Sequence, residues 1–195
     1  MGRTAERTRR TGETDVRVRV DLDGAGSVSA ATGVGFFDHM LDLFGRHALL
    51  DLEVEARGDL ATGSHHTVED VGIVLGGAVD EALGDRAGIE RYGAATLPMD
   101  EVLVLAAIDV SGRPFAAIDV PLPATTVGGF ESDLLAEFLR ALAINARVGL
   151  HVRTLTDGGA HHVIEGAFKA TARALRQAVA PSPRERGVPS TKGRL

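Results

Sequence analysis

The chain repeats itself. His65-His66-Thr67-Val68-Glu69 and His161-His162-Val163-Ile164-Glu165 are two copies of one phrase, 96 residues apart in a chain of 195. The seventeen residues from Asp38 to Val54 align with those from Ala136 to Val152 at an offset of 98, so the loop before the second phrase is two residues shorter. This period exceeds those of solenoid repeats. It restricts the chain to two similar halves packed about a pseudo-twofold axis, each burying an apolar face against a second layer.

The same order of elements is legible in each half. Residues 15–22 (DVRVRVDL) alternate polar and apolar, the pattern of a half-buried strand. Asp23-Gly24 marks a turn, and residues 27–32 read as the returning strand of a hairpin. Gly35 precedes a helix over 36–48, a strand follows at 49–57, and 58–64 form a loop. Ser64 is placed to cap a helix running from His65 to Leu83. In the second half, 101–120 read as strand, Ser111-Gly112 turn and strand, 132–146 as a helix, 148–155 as a strand and 165–179 as the closing helix. The expected fold is α/β, of the α+β two-layer kind, with helices on one face of two strand-rich halves. The expected organisation is one domain over 1–195, its halves near 13–92 and 93–180, ending in a tail at 181–195. Aromatic residues make up only 4% of the chain, so Ala, Val, Leu and Ile are expected to build the core.

Imidazole and carboxylate are common ligands of divalent metals, and residues three or four apart on a helix share a face. Glu69 can therefore stand beside His65 or His66, and Glu165 beside His161 or His162. The internal alignment sets His39 opposite Glu137. The candidate ligands become His39, His65, His66 and Glu69 in one half, and Glu137, His161, His162 and Glu165 in the other. Two equivalent sets suggest two metal ions with open positions for water or substrate. The chain has no cysteine, so disulfides and thiolate sites are excluded.

Other residues stay open between two readings. His39 alone also suits a core histidine; His47 is undecided and His151 reads as structural. Met99-Asp100-Glu101 is either an acidic turn or a source of a carboxylate behind the ligands. Arg91 and Arg113 are solvated cations or binding groups. Pro189-Ser190-Thr191-Lys192-Gly193 is either a disordered terminus or a phosphate cap of hydroxyls and one ammonium. The net charge of −6 argues against a general nucleic-acid binder. No apolar run approaches ~18 residues and the N-terminus lacks the apolar segment of a signal peptide. No membrane partner is expected, and a cytoplasmic location is. No P-loop or His-Glu-x-x-His motif occurs, which disfavours nucleotide hydrolysis of that type and a zincin protease.

These residues together resemble the imidazoleglycerol-phosphate dehydratase family over nearly the whole chain. The resemblance is carried by Phe37-Asp38-His39-Met40-Leu41, His65-His66-Thr67-Val68-Glu69-Asp70, Arg91-Tyr92-Gly93, Pro98-Met99-Asp100-Glu101 and Ser111-Gly112-Arg113-Pro114. It continues in His161-His162-x-x-Glu165, Phe168-Lys169-Ala170 and Pro189-Ser190-Thr191-Lys192-Gly193; the entry motif before Glu13 is degenerate. The family implies a ribosomal protein S5 domain 2-like fold, trimers assembled into a 24-subunit homo-oligomer, and two manganese ions per protomer between subunits. It implies a hydro-lyase of histidine biosynthesis that converts D-erythro-imidazoleglycerol phosphate to imidazole acetol phosphate.

Carried over by position, the eight candidates above are the metal ligands, though many members have His where this chain has Glu137. Glu13, Glu69 and Glu165 are the candidate proton carriers. Glu13, His39, Arg91, Arg113, Lys169, Ser190, Thr191 and Lys192 are the substrate and phosphate contacts. A two-metal phosphohydrolase and a metal-storing cage are the rival readings.

Overall fold

The computed structural model describes residues 2–195. Ten strands and four helices follow in the order β1 (Thr4–Arg10), β2 (Thr14–Asp21), β3 (Val28–Ala31), α1 (Gly35–Ala48), β4 (Asp51–Gly58), α2 (His65–Leu83), β5 (Tyr92–Met99), β6 (Val102–Asp109), β7 (Phe115–Asp119), β8 (Thr126–Val127), β9 (Phe130–Glu131), α3 (Leu134–Asn145), β10 (Gly149–Thr156) and α4 (Ala160–Val179). One turn of 3-10 helix, Leu60–Thr62, precedes α2.

The strands form two four-stranded sheets, ordered β1-β2-β4-β3 and β5-β6-β10-β7, plus the small β8-β9 ribbon. In both sheets the last strand of the half, β4 or β10, enters between the first pair and the short strand. Thus β3 runs parallel to β4 and never pairs with β2, and β7 runs parallel to β10. The expected hairpins at Asp23-Gly24 and Ser111-Gly112 are therefore corrected. Each turn feeds a short strand, a helix and a parallel return, the crossover that parallel pairing requires. The true hairpins are β1-β2 and β5-β6, and both first strands lay outside the sequence reading.

The register records the duplication. Val18 pairs with Val54 in the first sheet, and Ala106 pairs with Val152 in the second. Val54 and Val152 differ by 98, as the sequence alignment requires, whereas Val18 and Ala106 differ by 88. The extra ten residues of the second half lie between β7 and α3, where the β8-β9 ribbon forms.

Alternation sets the layers. Val16, Val18 and Val20 of β2 are fully buried, as are Leu52 and Val54 of β4 to within 1%, while their neighbours along each strand face outward. Helices α2 and α4 cover the inner faces of the two sheets, and α2 packs on α3 as α1 packs on α4. The two halves thus meet through their helices. Gly76 makes one such meeting possible: a Cβ there would lie 2.5 Å from the Leu142 carbonyl oxygen and 2.9 Å from the Ala146 nitrogen. Aliphatic side chains build most of the core, as composition suggests. Yet five of the seven phenylalanines, Phe37, Phe44, Phe130, Phe138 and Phe168, are also fully buried. Phe138 stacks on Phe168 at 5.0 Å and meets Phe37 edge-on at 5.4 Å, pinning the helix layers together. Such pairs add about 0.5–1.5 kcal/mol beyond area burial.

Candidate metal centre and anion cleft

Both histidine phrases open a helix. His65, His66 and Glu69 sit in the first turns of α2, and His161, His162 and Glu165 in those of α4. At such an end, side chains project past the last strand and backbone N–H groups lack intrahelical partners. Ser64 occupies the cap position of α2, but its hydroxyl makes no cap bond; it donates instead to Glu131 Oε2 at 2.6 Å. That bond ties the first phrase to the β8-β9 ribbon. Phe130, the next residue back, packs 5.9 Å from Phe36, and Phe36 meets the His161 ring edge-on at 5.1 Å. The ribbon therefore bridges the two phrases at one end of the helix layer.

The helix pairs run parallel. Phe36 of α1 lies by His161 of α4, and His47 further along α1 lies by Lys169 and Arg173. Gly72 of α2 faces Phe138 and Ala141, and Gly76 faces Leu142 and Asn145. The start of α1, with His39, is thus beside the second phrase. The start of α3, with Glu137, is beside the first, and Glu137 pairs with Arg140 at 2.6 Å. The first-helix candidate of each half sits nearest the phrase of the other half.

Carboxylates surround the imidazoles. His66 Nδ1 lies 3.1 and 3.2 Å from the two oxygens of Asp59 and 3.8 Å from Glu13 Oε2. His65 Nε2 lies 3.7 Å from Glu69 Oε2. His162 Nδ1 lies 2.8 Å from Glu101 Oε2, and His161 Nε2 lies 3.2 Å from Glu165 Oε2. Lys169 donates to the other oxygen of Glu165. Among the described residues, Asp100, Glu101 and His162 bring three potential ligand atoms within 4.8 Å of one another. His39, His65 and His161 are exposed, with ring nitrogens available to a further group.

The charges follow from these contacts. The hydrogen bond to Asp59 raises the proton affinity of His66, and the bond to Glu101 does the same for His162. Glu101 is held down to about 2, first by the Gly159 N–H that it accepts and then by His162. Burial alone pushes Glu165 upward, but Lys169 and His161 together outweigh it and hold the carboxyl below its ordinary range. His47 is held low by burial and by the Lys169 and Arg173 cations. His151 is exposed beside Phe115 on the outer face of the second sheet, away from both phrases.

The cationic candidates divide. Arg91, Arg113, Ser190, Thr191 and Lys192 line a cleft of about 650 Å³. Arg91 grips Asp109 through Nε at 2.8 Å and donates Nη1 to the Pro189 carbonyl at 2.8 Å, which fastens the tail. Lys169 lies elsewhere, with Glu165. Arg91 precedes the first residue of β5, and Asp100-Glu101 follow the last. Eight strand residues at about 3.3 Å each put the cleft and the second phrase roughly 25 Å apart within one chain.

Sequence reasoning missed Asp59 and Glu131, and left Met99-Asp100-Glu101 open between an acidic turn and a carboxylate behind the ligands; the structure sets Glu101 against His162. One signal was available: the offset of 88 between the first hairpins puts Glu101 opposite Glu13. Asp59 carried no such mark, since its equivalent Asp157 has no histidine against it.

Comparison with known proteins places the chain in a family. Residues 32–175 match the family model described as imidazoleglycerol-phosphate dehydratase. The chain is 57% identical over 195 residues to the imidazoleglycerol-phosphate dehydratase of Desulforamulus reducens, covering all of both chains. It is 56% identical to that of Acidiphilium cryptum, again over 100% of both. Among solved structures, imidazoleglycerol-phosphate dehydratase from Staphylococcus aureus superposes with a TM-score of 0.83 at 38% identity, covering 92% of this chain and 99% of that one. The Pyrococcus furiosus enzyme gives the same TM-score and identity over 97% and 100%. Sequence, duplicated fold and paired histidine phrases lead to one assignment: the chain belongs to the imidazoleglycerol-phosphate dehydratase family and is a carbon-oxygen lyase.

Proposed function

We propose that this enzyme removes water from D-erythro-imidazoleglycerol phosphate to give imidazole acetol phosphate, in L-histidine biosynthesis in the cytoplasm. Two manganese ions per protomer are held by His39, His65, His66, Glu69, Glu137, His161, His162 and Glu165. The observation that carries this reading is the gathering of both histidine phrases at one end of the helix layer, in a chain of this family. The donor set, five imidazoles and three carboxylates with no thiolate, fits a divalent first-row metal, and manganese is the one the family resemblance implies. When bound, such an ion polarises the imidazole of the substrate and eases loss of a proton from its side chain.

The chain's own groups do the rest. Glu13 stands on the β1-β2 turn, exposed and 3.8 Å from His66, with no shorter side-chain partner among the described residues to occupy its oxygens. It is the best-placed proton carrier. Glu69 and Glu165 face their own histidines and serve as ligands. Arg91, Arg113, Ser190, Thr191 and Lys192 in the tail cleft bind the phosphate, with Lys169 adding a cation beside the metals.

A small phosphorylated imidazole cannot span roughly 25 Å from cleft to phrase within one chain. That separation supports sites completed by a neighbouring copy; trimers that build a 24-subunit particle are the assembly the family resemblance implies. The test is the product. Purified, manganese-loaded enzyme should release imidazole acetol phosphate and no inorganic phosphate; release of inorganic phosphate would move the reading to a phosphohydrolase.

A further inference from the structure

Both halves present a histidine with its Nδ1 held by a carboxylate, and they do so with residues from different places. In the first half Asp59, in the loop before α2, holds His66 at 3.1 Å. In the second half Glu101, on the β5-β6 turn, holds His162 at 2.8 Å. The duplication makes the two braces unrelated. The counterpart of Asp59 is Asp157, which has no histidine against it, and the counterpart of Glu101 is Glu13, which lies 3.8 Å from His66. Two halves that rebuilt the same contact from non-equivalent slots point to a need for that contact itself.

We infer that Glu101 is a positioning residue, which fixes the tautomer and orientation of His162 by accepting its Nδ1–H and leaving Nε2, which faces Asp100 Oδ2 at 3.8 Å, unprotonated for a metal ion. Glu101 does not touch substrate. Its two oxygens are both engaged: Oε2 takes His162, and Oε1 accepts the Gly159 N–H at 2.9 Å at the mouth of α4. One side chain thus sets both the helix end and the ring mounted on it. Glu13, in the mirror position, keeps its oxygens free for proton transfer because Asp59 has taken over the brace. The ancestral carboxylate position has been given opposite tasks in the two halves. The inference rests on the two-metal reading for the role of His162.

Glu101→Gln separates positioning from capping. The amide oxygen can still accept the Gly159 N–H, but the amide NH₂ then faces His162 Nδ1 and favours the Nε2–H tautomer, the wrong one for binding. Metal-binding histidines that lose such a partner typically lose 10–100-fold in affinity. Manganese titration of the chelated enzyme should therefore show one of two ions bound 10–100-fold more weakly in Glu101→Gln. Thermal unfolding of the chelated variant should stay within about 2 °C of the original chain. Nitrogen NMR of the chelated protein should report Nδ1–H at His162 in the original chain and a shift toward Nε2–H in the variant. Glu101→Ala, which removes cap and brace together, should lower both unfolding temperature and affinity.

Unchanged manganese affinity in Glu101→Gln, or an unchanged tautomer, would overturn the inference. So would a fall in unfolding temperature as large as that of Glu101→Ala, which would leave Glu101 as a cap alone. If the original chain bound no manganese, the two-metal reading would fail, and the His162 tautomer would still decide whether Glu101 sets the ring.

Discussion

Asp70→Ala should detach the β1-β2 hairpin from α2. Asp70 follows Glu69 and is only 7% exposed. It accepts a hydrogen bond from the Thr14 hydroxyl and one from Arg9 Nε at 2.9 Å, so both strands of the hairpin that presents Glu13 are fastened to it. Hydrogen bonds to a charged group contribute about 1.5–3 kcal/mol each. The Thr14 bond is buried and takes a middle value of about 2 kcal/mol. Arg9 is nearly half exposed, so its share is discounted to about 0.5–1 kcal/mol. The sum, about 2.5–3 kcal/mol, translates at about 2–4 °C per kcal/mol for a chain of this size into a fall of roughly 5–12 °C. The assay is thermal unfolding of chelated protein at fixed concentration, which removes the contribution of bound metal. Thr14→Ala alone, and with Asp70→Ala, completes a cycle whose coupling should reach about 1–2 kcal/mol, as expected for directly bonded partners. Turnover of the loaded enzyme should also fall, because the hairpin positions Glu13, while metal content persists. An Asp70→Ala melting temperature within about 2 °C of the original, or strict additivity in the cycle, would refute the reasoning.

Three further outcomes follow from the same structure. Gly76→Ala should cost about 1–3 kcal/mol through overpacking against α3, read as a lower melting temperature, whereas Gly187→Ala, with nothing within 4 Å of the added carbon, should be neutral. His66 and His162 have raised proton affinity, so their contribution to folding is complete below about 6.5 and is lost as pH rises through their higher folded values. Protons compete with metal at the same rings, so NMR should find both histidines titrating above 6.5 in chelated protein and manganese uptake improving over that range. Lys192→Ala should raise KM for the phosphorylated substrate at least tenfold while leaving manganese content unchanged; an unchanged KM would remove the tail cleft from phosphate binding.

The elements that could be read from sequence are those with strong periodicity. The Val16-Val18-Val20 alternation and the long apolar face from Val68 to Val79 mark β2 and α2 directly, α3 and β10 are legible over 132–146 and 148–155 in the same way, and the offset of 98 ties them to α1 and β4. β1 was hidden because its outward side chains are charged and only Ala5 is buried. β5 was hidden because Gly93 and Pro98 break the pattern; Gly93 is needed where β5 runs under α4, since a Cβ would sit 2.0 Å from the Ala174 carbonyl oxygen. The hairpins were misread because a turn signal such as Asp23-Gly24 reports a reversal of the chain, not which strand lies alongside. At the site, the histidine phrases were visible because they recur. Glu131 reaches Ser64 from 67 residues away, and Asp59 reaches His66 from an irregular loop seven residues before it; neither meeting is marked by a periodic or repeated pattern.

The most direct test of the account is metal content and particle mass of the purified enzyme, measured before and after exhaustive chelation. Two manganese ions per protomer, a particle far heavier than the 20.4 kDa chain, and loss of activity and of mass together on chelation are the predicted result. A monomer that retains full dehydratase activity without metal would contradict it.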